Sequence, residues 1–424
     1  MAADAAACRG LITKTGANGL QDRRCEMLSK RVSILEASLT LKISAKAKQM
    51  KKQGLPVIDF SVGEPDFPTM DHVKAAGKKA IDDNFTRYTQ SDGAPELKEA
   101  ILSRLLADES MDYRPNQLIV SPGAKASIFL ALAALVNDGE EVLIPSPYWV
   151  SYPEQVKLVG GIPVLIETRE VDNFLVTPAQ IKAKITPRTR VLIINSPSNP
   201  TGMVYSEDQL RAIMDVAVRG NLIVIADEIY SKIIYDGFRF TRIASLSPEI
   251  AERTVTIDGV SKAYSMTGWR IGFALGPQKI IGAMKSIQDH LTSNPCSISQ
   301  MAALAAYAGE QAEVVRRSGE FQDRRDFLLA ELNRIPGVRC GKPQGAFYLF
   351  PNIRKYFNTS DGKYTIKTAF DLADYLLEKA NVATVPGEGF GAADNIRLSF
   401  ATSMENIKAG VKRIAGALGE LGKL

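Results

Sequence analysis

"RVLIINSPSNPTGMVYSEDQLRAIMDVAVRGNLIVIADEIY", Arg190 to Tyr230, holds two short aliphatic, β-branched runs with a helix-like stretch, Ser206 to Arg219, between them. Neither run alternates apolar with polar residues. Continuous hydrophobicity of this kind means that both faces of a strand are covered, which is the pattern of a parallel sheet layered with helices. Working outward, similar runs end at turn or polar residues in QLIVSPG (117–123), EVLIPSP (141–147) and RTVTIDG (253–259), and Ala124–Leu135 reads as another helix. An α/β core follows. After about Ser297 the pattern turns helical as far as Ile335, and a smaller α+β region with GAFYLFP and NIRLSF closes the chain. No Gly/Ser-rich or Pro-rich linker and no internal repeat interrupts this order.

Bulk properties remove several classes of function. A chain of 424 residues that is 45% hydrophobic can bury a large core, and its length favours two or three domains. The longest apolar run, Ile128–Val136, is about half of the ~18 residues that suggest a membrane span, so no membrane association is expected. The formal charge of +5 is spread among interleaved acids and bases, which does not imply nucleic acid as a partner. Four cysteines (Cys8, Cys25, Cys296, Cys340) lie far apart and only two histidines occur, so a zinc-type metal site is not expected. Unpaired cysteines fit a reducing compartment, and a cytoplasmic location is expected. No G-x-S-x-G elbow is present. Residues 1–28 are Ala-, Gly- and Arg-rich without hydrophobic periodicity and read as a disordered tail. They lack the apolar core of a secretory signal, fit a transit peptide poorly because of Asp4 and Asp22, and precede MLSKRVS (27–33), which looks like a natural chain start.

Ligands of open α/β sheets gather where strands end. The residues just after each run are Gly123-Ala-Lys, Pro147-Tyr-Trp, Asn199-Pro, Asp227-Glu-Ile-Tyr and Ser261-Lys262. Together they offer an amine, a carboxylate, an indole, an amide and a phenol. A lone lysine is usually a surface charge. Lys262, flanked by Ser261 and followed by Arg270, is instead placed to supply an amine for a Schiff base, with a hydroxyl and a guanidinium to hold a phosphate. Pyridoxal phosphate needs both. Asp227 is either an N-cap or turn residue, or the partner of the pyridine nitrogen. Tyr230 and Asn199 suit its phenolate oxygen, although Asn-Pro is also a plain turn. Gly123 opens an apolar helix whose N-terminus suits an anion. Trp149 is a ring-stacking or a core residue. Arg397, in a strand, wants a carboxylate, whether a substrate's or a structural one.

In this order SVGEPDF, RYTQSDGAPELKEAI, PSPYWVSYPE, SPSNPTG, ADEIY, GVSKAYSMTGWRIGFA, PQGAFYLF and NIRLSF resemble the class I pyridoxal-phosphate aminotransferases. The subgroup most resembled is that of the prokaryotic-type aspartate aminotransferases, which includes aspartate/prephenate aminotransferases. The resemblance runs from about Ser29 to the C-terminus. It implies the α/β fold type I of these enzymes, with a large domain (66–307) built on a mostly parallel seven-stranded sheet and a small α+β domain (29–65 with 308–424). It implies a homodimer with shared active sites and a ping-pong mechanism in two half-reactions. By the match Lys262 is both the cofactor's anchor and the catalytic base, Asp227 is the pyridine-nitrogen partner, Tyr230 and Asn199 are phenolate donors, and Trp149 stacks on the ring. Gly123, Ala124, Lys125, Ser261 and Arg270 match the phosphate cup, and Tyr88 matches a tyrosine contributed across the dimer. Arg397 and the backbone N–H of Gly63 match the grip on the substrate α-carboxylate.

The substrates implied are L-aspartate or glutamate with 2-oxoglutarate or oxaloacetate, and prephenate as a further acceptor. Thr40 and Lys125 look like residues associated with dicarboxylate and prephenate handling, although SILEASLTLKIS (33–44) departs from the family's usual string. An aminotransferase of aromatic or alanine type, a lyase, and a non-catalytic pyridoxal-phosphate-binding regulator share the cofactor residues. The regulator would carry a DNA-binding domain ahead of this part, and the expectation is that the residues before Ser29 hold none. Gly387–Ala392 fits G-x-G-x-x-A after an apolar run, but too few residues follow it for a dinucleotide-binding half.

Overall fold

The computed structural model of the chain describes residues 29–35 and 39–423. Cys8, Cys25, the expected tail at 1–28 and the start of MLSKRVS lie outside the described residues. Two units separate between Glu36 and Ala37. In the first, the described part is a short helix, Lys30–Ser33. The second, to Leu424, carries everything below.

Its centre is a seven-stranded sheet made of β1 (Leu118–Ser121), β2 (Glu141–Ser146), β3 (Ile162–Glu167), β4 (Thr189–Asn195), β5 (Ile223–Asp227), β6 (Thr254–Gly259) and β7 (Gly272–Leu275). The strand order is β1-β7-β6-β5-β4-β2-β3. Strands β2 to β6 pair in parallel. Only β7 runs antiparallel, to both β1 and β6. A parallel return needs a crossover, usually a helix, whereas the connection from β6 to β7 holds only a three-residue helical turn, Thr267–Trp269. β1, β6 and β7 are buried throughout, including the polar Ser121, Thr254, Thr256 and Asp258. β3 lies at the sheet edge with Ile162 and Leu165 exposed, and Pro163 within it is tolerated there.

The helix expected over Ser206–Arg219 spans Glu207–Arg219, with Ser206 as its N-cap and Gln209 completing a capping box. Leu210, Ile213, Met214 and Ala217 form its buried stripe, and full burial of a Leu, Ile or Met contributes about 1.5–3 kcal/mol. Helix Ala124–Leu135 has the expected bounds. The helical region after Ser297 resolves into Ser297–Ala308 and Ala312–Arg334. The strand runs themselves are shorter than the apolar strings: β4 stops at Asn195 and β5 at Asp227, so SPSNPTG and EIY are turns.

A separate core gathers Ile58 and Phe60 with residues from Phe321 to Leu418, and it also takes in Ile229 and Tyr230 from the turn after β5. There a three-stranded antiparallel sheet sets Ile396–Ser399 between Val385–Pro386 and Tyr348–Leu349. Arg397 therefore sits in a central strand.

Candidate active site

Three parallel strands end side by side. Asn195 of β4 is in register with Asp227 of β5, and Asp227 with Ile257 of β6, so the turns after them open on one face. Asn195 fastens two of these turns: its Nδ2 donates to Asp227 O at 2.9 Å, and its Oδ1 accepts the Asn199 N–H at 2.8 Å. A cavity of about 490 Å³ lies beyond them, lined by Gly63, Ala124, Lys125, Trp149, Asn199, Asp227, Tyr230, Ser261, Lys262, Arg270 and Arg397. That volume is in the range of small-ligand sites.

Lys262 Nζ donates to Gly63 O at 2.7 Å and lies 5.7 Å and 5.8 Å from the ring centres of Tyr230 and Phe347. Burial, assisted by the Arg397 charge, holds its amine down to about 8. Asp227 is 4% exposed and pushed up to about 6 by burial. No helix follows it, so it caps none. Its Oδ2 accepts Tyr152 Oη at 2.5 Å and its Oδ1 accepts Ile229 N–H at 3.4 Å. Tyr230 Oη is 2.8 Å from Tyr348 Oη, and burial raises its phenol well above the usual range.

The arginine is the clearest of the expectations left open by the sequence. Arg397 is 4% exposed, Nη1 donates to Asn199 Oδ1 at 2.8 Å and Nη2 to Ser61 O at 2.9 Å, while its buried Nε has no partner. Its guanidinium carbon is 4.6 Å from the Tyr348 ring centre and 5.0 Å from that of Phe390. Among the described residues no carboxylate pairs with it, so a structural acid is not its counter-ion. Because Asn199 spends its carbonyl on Arg397, its NH₂ is left to donate into the cavity.

At the other end Ala124 and Lys125, the first residues of helix Ala124–Leu135, line the cavity together with Ser261 and Arg270. Gly123, at φ +89°, sits beneath the Arg270 guanidinium: a Cβ there would lie 2.5 Å from Nη2. Arg270 also donates to Thr267 O at 2.9 Å. Lys125 Nζ lies 4.9 Å from the Trp149 ring centre, and burial and Arg270 together lower its amine. Trp149 packs edge-on against Tyr152 at 5.4 Å.

Two expected residues are not among these. Tyr88 is 91% exposed and does not line the cavity. Thr40 falls in helix Leu39–Lys52, and its side chain lies outside the described ones. One and two turns further along the same helix, Ser44 and Lys48 do line the cavity, as do Glu64, Tyr152, Tyr348 and Phe390. The G-x-G-x-x-A string follows strand Val385–Pro386 with a single helical turn, Gly387–Phe390, and runs on to strand Ile396–Ser399, with no α-helix opening after it.

The donor set fits pyridoxal phosphate. An amine, a buried carboxylate, two donors for an oxyanion, an indole, and a helix N-terminus with a side-chain hydroxyl and guanidinium surround one cavity, and a Cβ on Gly123 would intrude on the guanidinium.

Known proteins are similar to this chain over most of its length. An aspartate aminotransferase of Geobacillus stearothermophilus is 49% identical over 387 residues, 91% of this chain and 98% of its own. An aspartate/prephenate aminotransferase of Nitrosomonas europaea is 44% identical over 92% of this chain and 99% of its own. The crystal structure of the aspartate aminotransferase from Rhizobium meliloti superposes with a TM-score of 0.90 at 43% identity, covering 94% of this chain and all of that one. Residues 56–414 match the family described as aminotransferase class I and II, and to that family the chain belongs.

Proposed function

We propose that the cavity binds pyridoxal 5′-phosphate at Lys262 and that the protein transfers an amino group between L-aspartate or glutamate and a 2-oxo acid, 2-oxoglutarate or oxaloacetate, with prephenate as a further acceptor. The observation that carries the reading is Arg397: a buried guanidinium with no acidic partner and a free Nε, sharing one cavity with Lys262 and Asp227. A buried cation without a counter-ion is costly, and a substrate carboxylate supplies one. The relatives named above as aspartate and aspartate/prephenate aminotransferases support the same substrates.

When bound, the cofactor supplies an electron sink for the pair left when a substrate Cα–H is broken. The chain's own residues do the rest. Lys262 would hold the cofactor and, as a free amine, would carry the proton between the substrate Cα and the cofactor's C4′; an amine lowered toward neutral pH suits that work. Asp227 keeps a proton on the ring nitrogen. Tyr230 and Asn199 donate to the ring oxygen, Trp149 covers the ring face, and Gly123, Ala124, Lys125, Ser261 and Arg270 hold the phosphate. Arg397 and Gly63 orient the α-carboxylate. Lys125, with Thr40, is assigned to the distal carboxylate; Lys125, Ser44 and Lys48 are wall residues of the cavity.

The working form is proposed to be a homodimer in which Tyr88 reaches the partner's site; an aromatic side chain 91% exposed and outside its own cavity supports this. A cytoplasmic location is part of the same proposal. No described helix is long and apolar enough to cross a membrane.

Borohydride reduction of the purified yellow protein should fix the cofactor on Lys262; label on another lysine overturns the assignment. A steady-state panel of aspartate, glutamate, alanine, tyrosine and phenylalanine against 2-oxoglutarate and prephenate, repeated with Thr40→Val and Lys125→Ala, tests the substrates. Preference for alanine or a neutral aromatic donor would overturn the dicarboxylate reading.

A further inference from the structure

Behind the cavity, and not lining it, Arg242 is 2% exposed and meets three carboxylates. We propose that Arg242 is a positioning residue that holds the turn bearing Asp227 and Tyr230 at a fixed spacing from the turn bearing Lys262. The proposal rests on the functional reading above, in which those three side chains act on one bound cofactor.

The connections are specific. Arg242 Nη1 donates to Glu228 Oε2 at 2.9 Å, and Glu228 directly follows Asp227. The other oxygen, Glu228 Oε1, accepts the Ile243 N–H at 3.0 Å. Arg242 Nη2 donates to Ser231 Oγ at 3.2 Å, and Ser231 directly follows Tyr230. The same Nη2 donates to Asp258 Oδ2 at 2.8 Å, and Ser231 Oγ donates to that oxygen at 3.1 Å. Asp258 is the penultimate residue of β6, and its Oδ1 accepts the Gly259 N–H at 2.7 Å at the root of the Lys262 turn. Glu109, at the end of helix Pro95–Glu109, closes the remaining side through Nε and through Nη2 at 3.1 Å. One planar group therefore touches both flanks of the 227–230 turn and the base of the 259–262 turn.

A buried ionic cluster of this kind is a poor device for stability, because desolvation offsets most of its attraction, whereas its directed donors specify geometry. A guanidinium carries five N–H groups in one plane; an ammonium cannot reproduce that fork. Around the cluster lie further ionisable groups, Tyr113, Tyr264, Tyr307, Arg104, Asp108 and Glu252. None of them bridges the two turns by a hydrogen bond. Without Arg242, three carboxylates are left facing one another, and the Asp258 charge, which already acts on Asp227, is no longer countered. The two turns then keep only the Ser231 Oγ–Asp258 Oδ2 hydrogen bond and the backbone bond from Glu228 N–H to Ile257 O between them, and lose the side-chain group that sets their spacing from both flanks.

The test uses the cofactor-loaded enzyme with Arg242→Met and Arg242→Lys, and reads kcat and KM for aspartate, melting temperature, and the pH midpoint of the visible absorbance change of the lysine-linked cofactor. A displacement of about 1 Å can cost on the order of a hundredfold, so Arg242→Met should lower kcat roughly tenfold to a hundredfold, with KM nearly unchanged. The absorbance midpoint should move by about half a unit or more, since the field at Asp227 and its distance from Lys262 both change. Arg242→Lys should regain melting temperature more than kcat. If Arg242→Met does not fold, Asp258→Asn, which keeps the shape and the Oδ1 acceptor, should still move the midpoint. Wild-type kcat per loaded site with an unmoved midpoint in the soluble variants, whatever their melting temperatures, would overturn the proposal. Borohydride label on Lys262 in the wild-type protein checks the underlying reading separately, so the two failures are told apart.

Discussion

Tyr152 Oη donates a 2.5 Å hydrogen bond to Asp227 Oδ2, and the two groups are 1% and 4% exposed. Burial drives the carboxyl up, and it stands at about 6 even though this hydroxyl and the Ile229 N–H pull it down. The phenol is itself held well above its usual range by burial, so it stays a donor at any working pH. Tyr152→Phe removes a bond to a charged acceptor, worth about 1.5–3 kcal/mol, and so favours the protonated carboxyl. The acid limb of the kcat/KM profile should move to higher pH by about one unit. An acid limb in the wild-type place would show that Tyr152 only packs.

Lys262 gives a stability prediction with a definite sign. Its folded amine is near 8, against 10.5 for an ordinary lysine. Between those values the unfolded chain holds a proton that the folded chain does not, so stability rises with pH across the window; below 8 the charged amine imposes its full cost. Cofactor-free Lys262→Met should therefore melt above the cofactor-free wild type at neutral pH, and the gap should close as pH rises from 8 toward 10.5. Paired thermal scans across that range decide it: a gap that ignores pH removes the lysine from the account.

Arg397 predicts a loss of substrate recognition that lysine does not restore. The guanidinium holds Asn199 and Ser61 with its two terminal nitrogens, which aims the fork as well as supplying charge. A lysine has no second arm. Arg397→Lys should lower kcat/KM for aspartate by about 2–5 kcal/mol, roughly thirtyfold or more, while spectra of the bound cofactor stay near wild type. Unchanged kcat/KM would return Arg397 to a structural role.

The parts of this site that can be read from the sequence are those in which a chemical group follows directly on a strand. Asp227 closes an unbroken apolar run, Asn199 follows one after a short Ser-Pro-Ser turn, Lys262 follows the Thr-containing run of β6, and Gly123 marks a helix start because its φ of +89° suits glycine. Tyr348 stands within an apolar string, and Tyr152 follows Trp149 and Val150 in a helix start, so each phenol reads as core until its hydroxyl partner is known. Ser44 and Lys48 belong to a lysine-rich helix whose inward side depends on how it docks. β3 is broken by Pro163 and half exposed, so no buried run marks it. The missing counter-ion of Arg397 is a relation between distant segments and has no local signal.

Two glycines near the phosphate end make contrasting predictions. A Cβ on Gly123 would lie 2.5 Å from Arg270 Nη2, the end of a long, exposed side chain, which can swing away. The remaining cost is the positive φ, which alanine tolerates poorly but survivably. A Cβ on Gly272 would lie 2.2 Å from the Ala124 backbone nitrogen and 2.5 Å from the Gly123 carbonyl carbon, where β7 passes under the helix start. Backbone there cannot yield without moving the strand or the helix. Gly123→Ala should thus fold and keep most of its melting temperature but bind the cofactor more weakly, because the displaced guanidinium leaves the phosphate cup. Gly272→Ala should lose the fold itself, by several times the ~1 kcal/mol typical of a single substitution. Melting curves taken with and without added pyridoxal phosphate separate the cases: added cofactor should rescue activity in Gly123→Ala only. Equal retention of cofactor by Gly123→Ala and wild type would mean that Arg270 does not hold the phosphate.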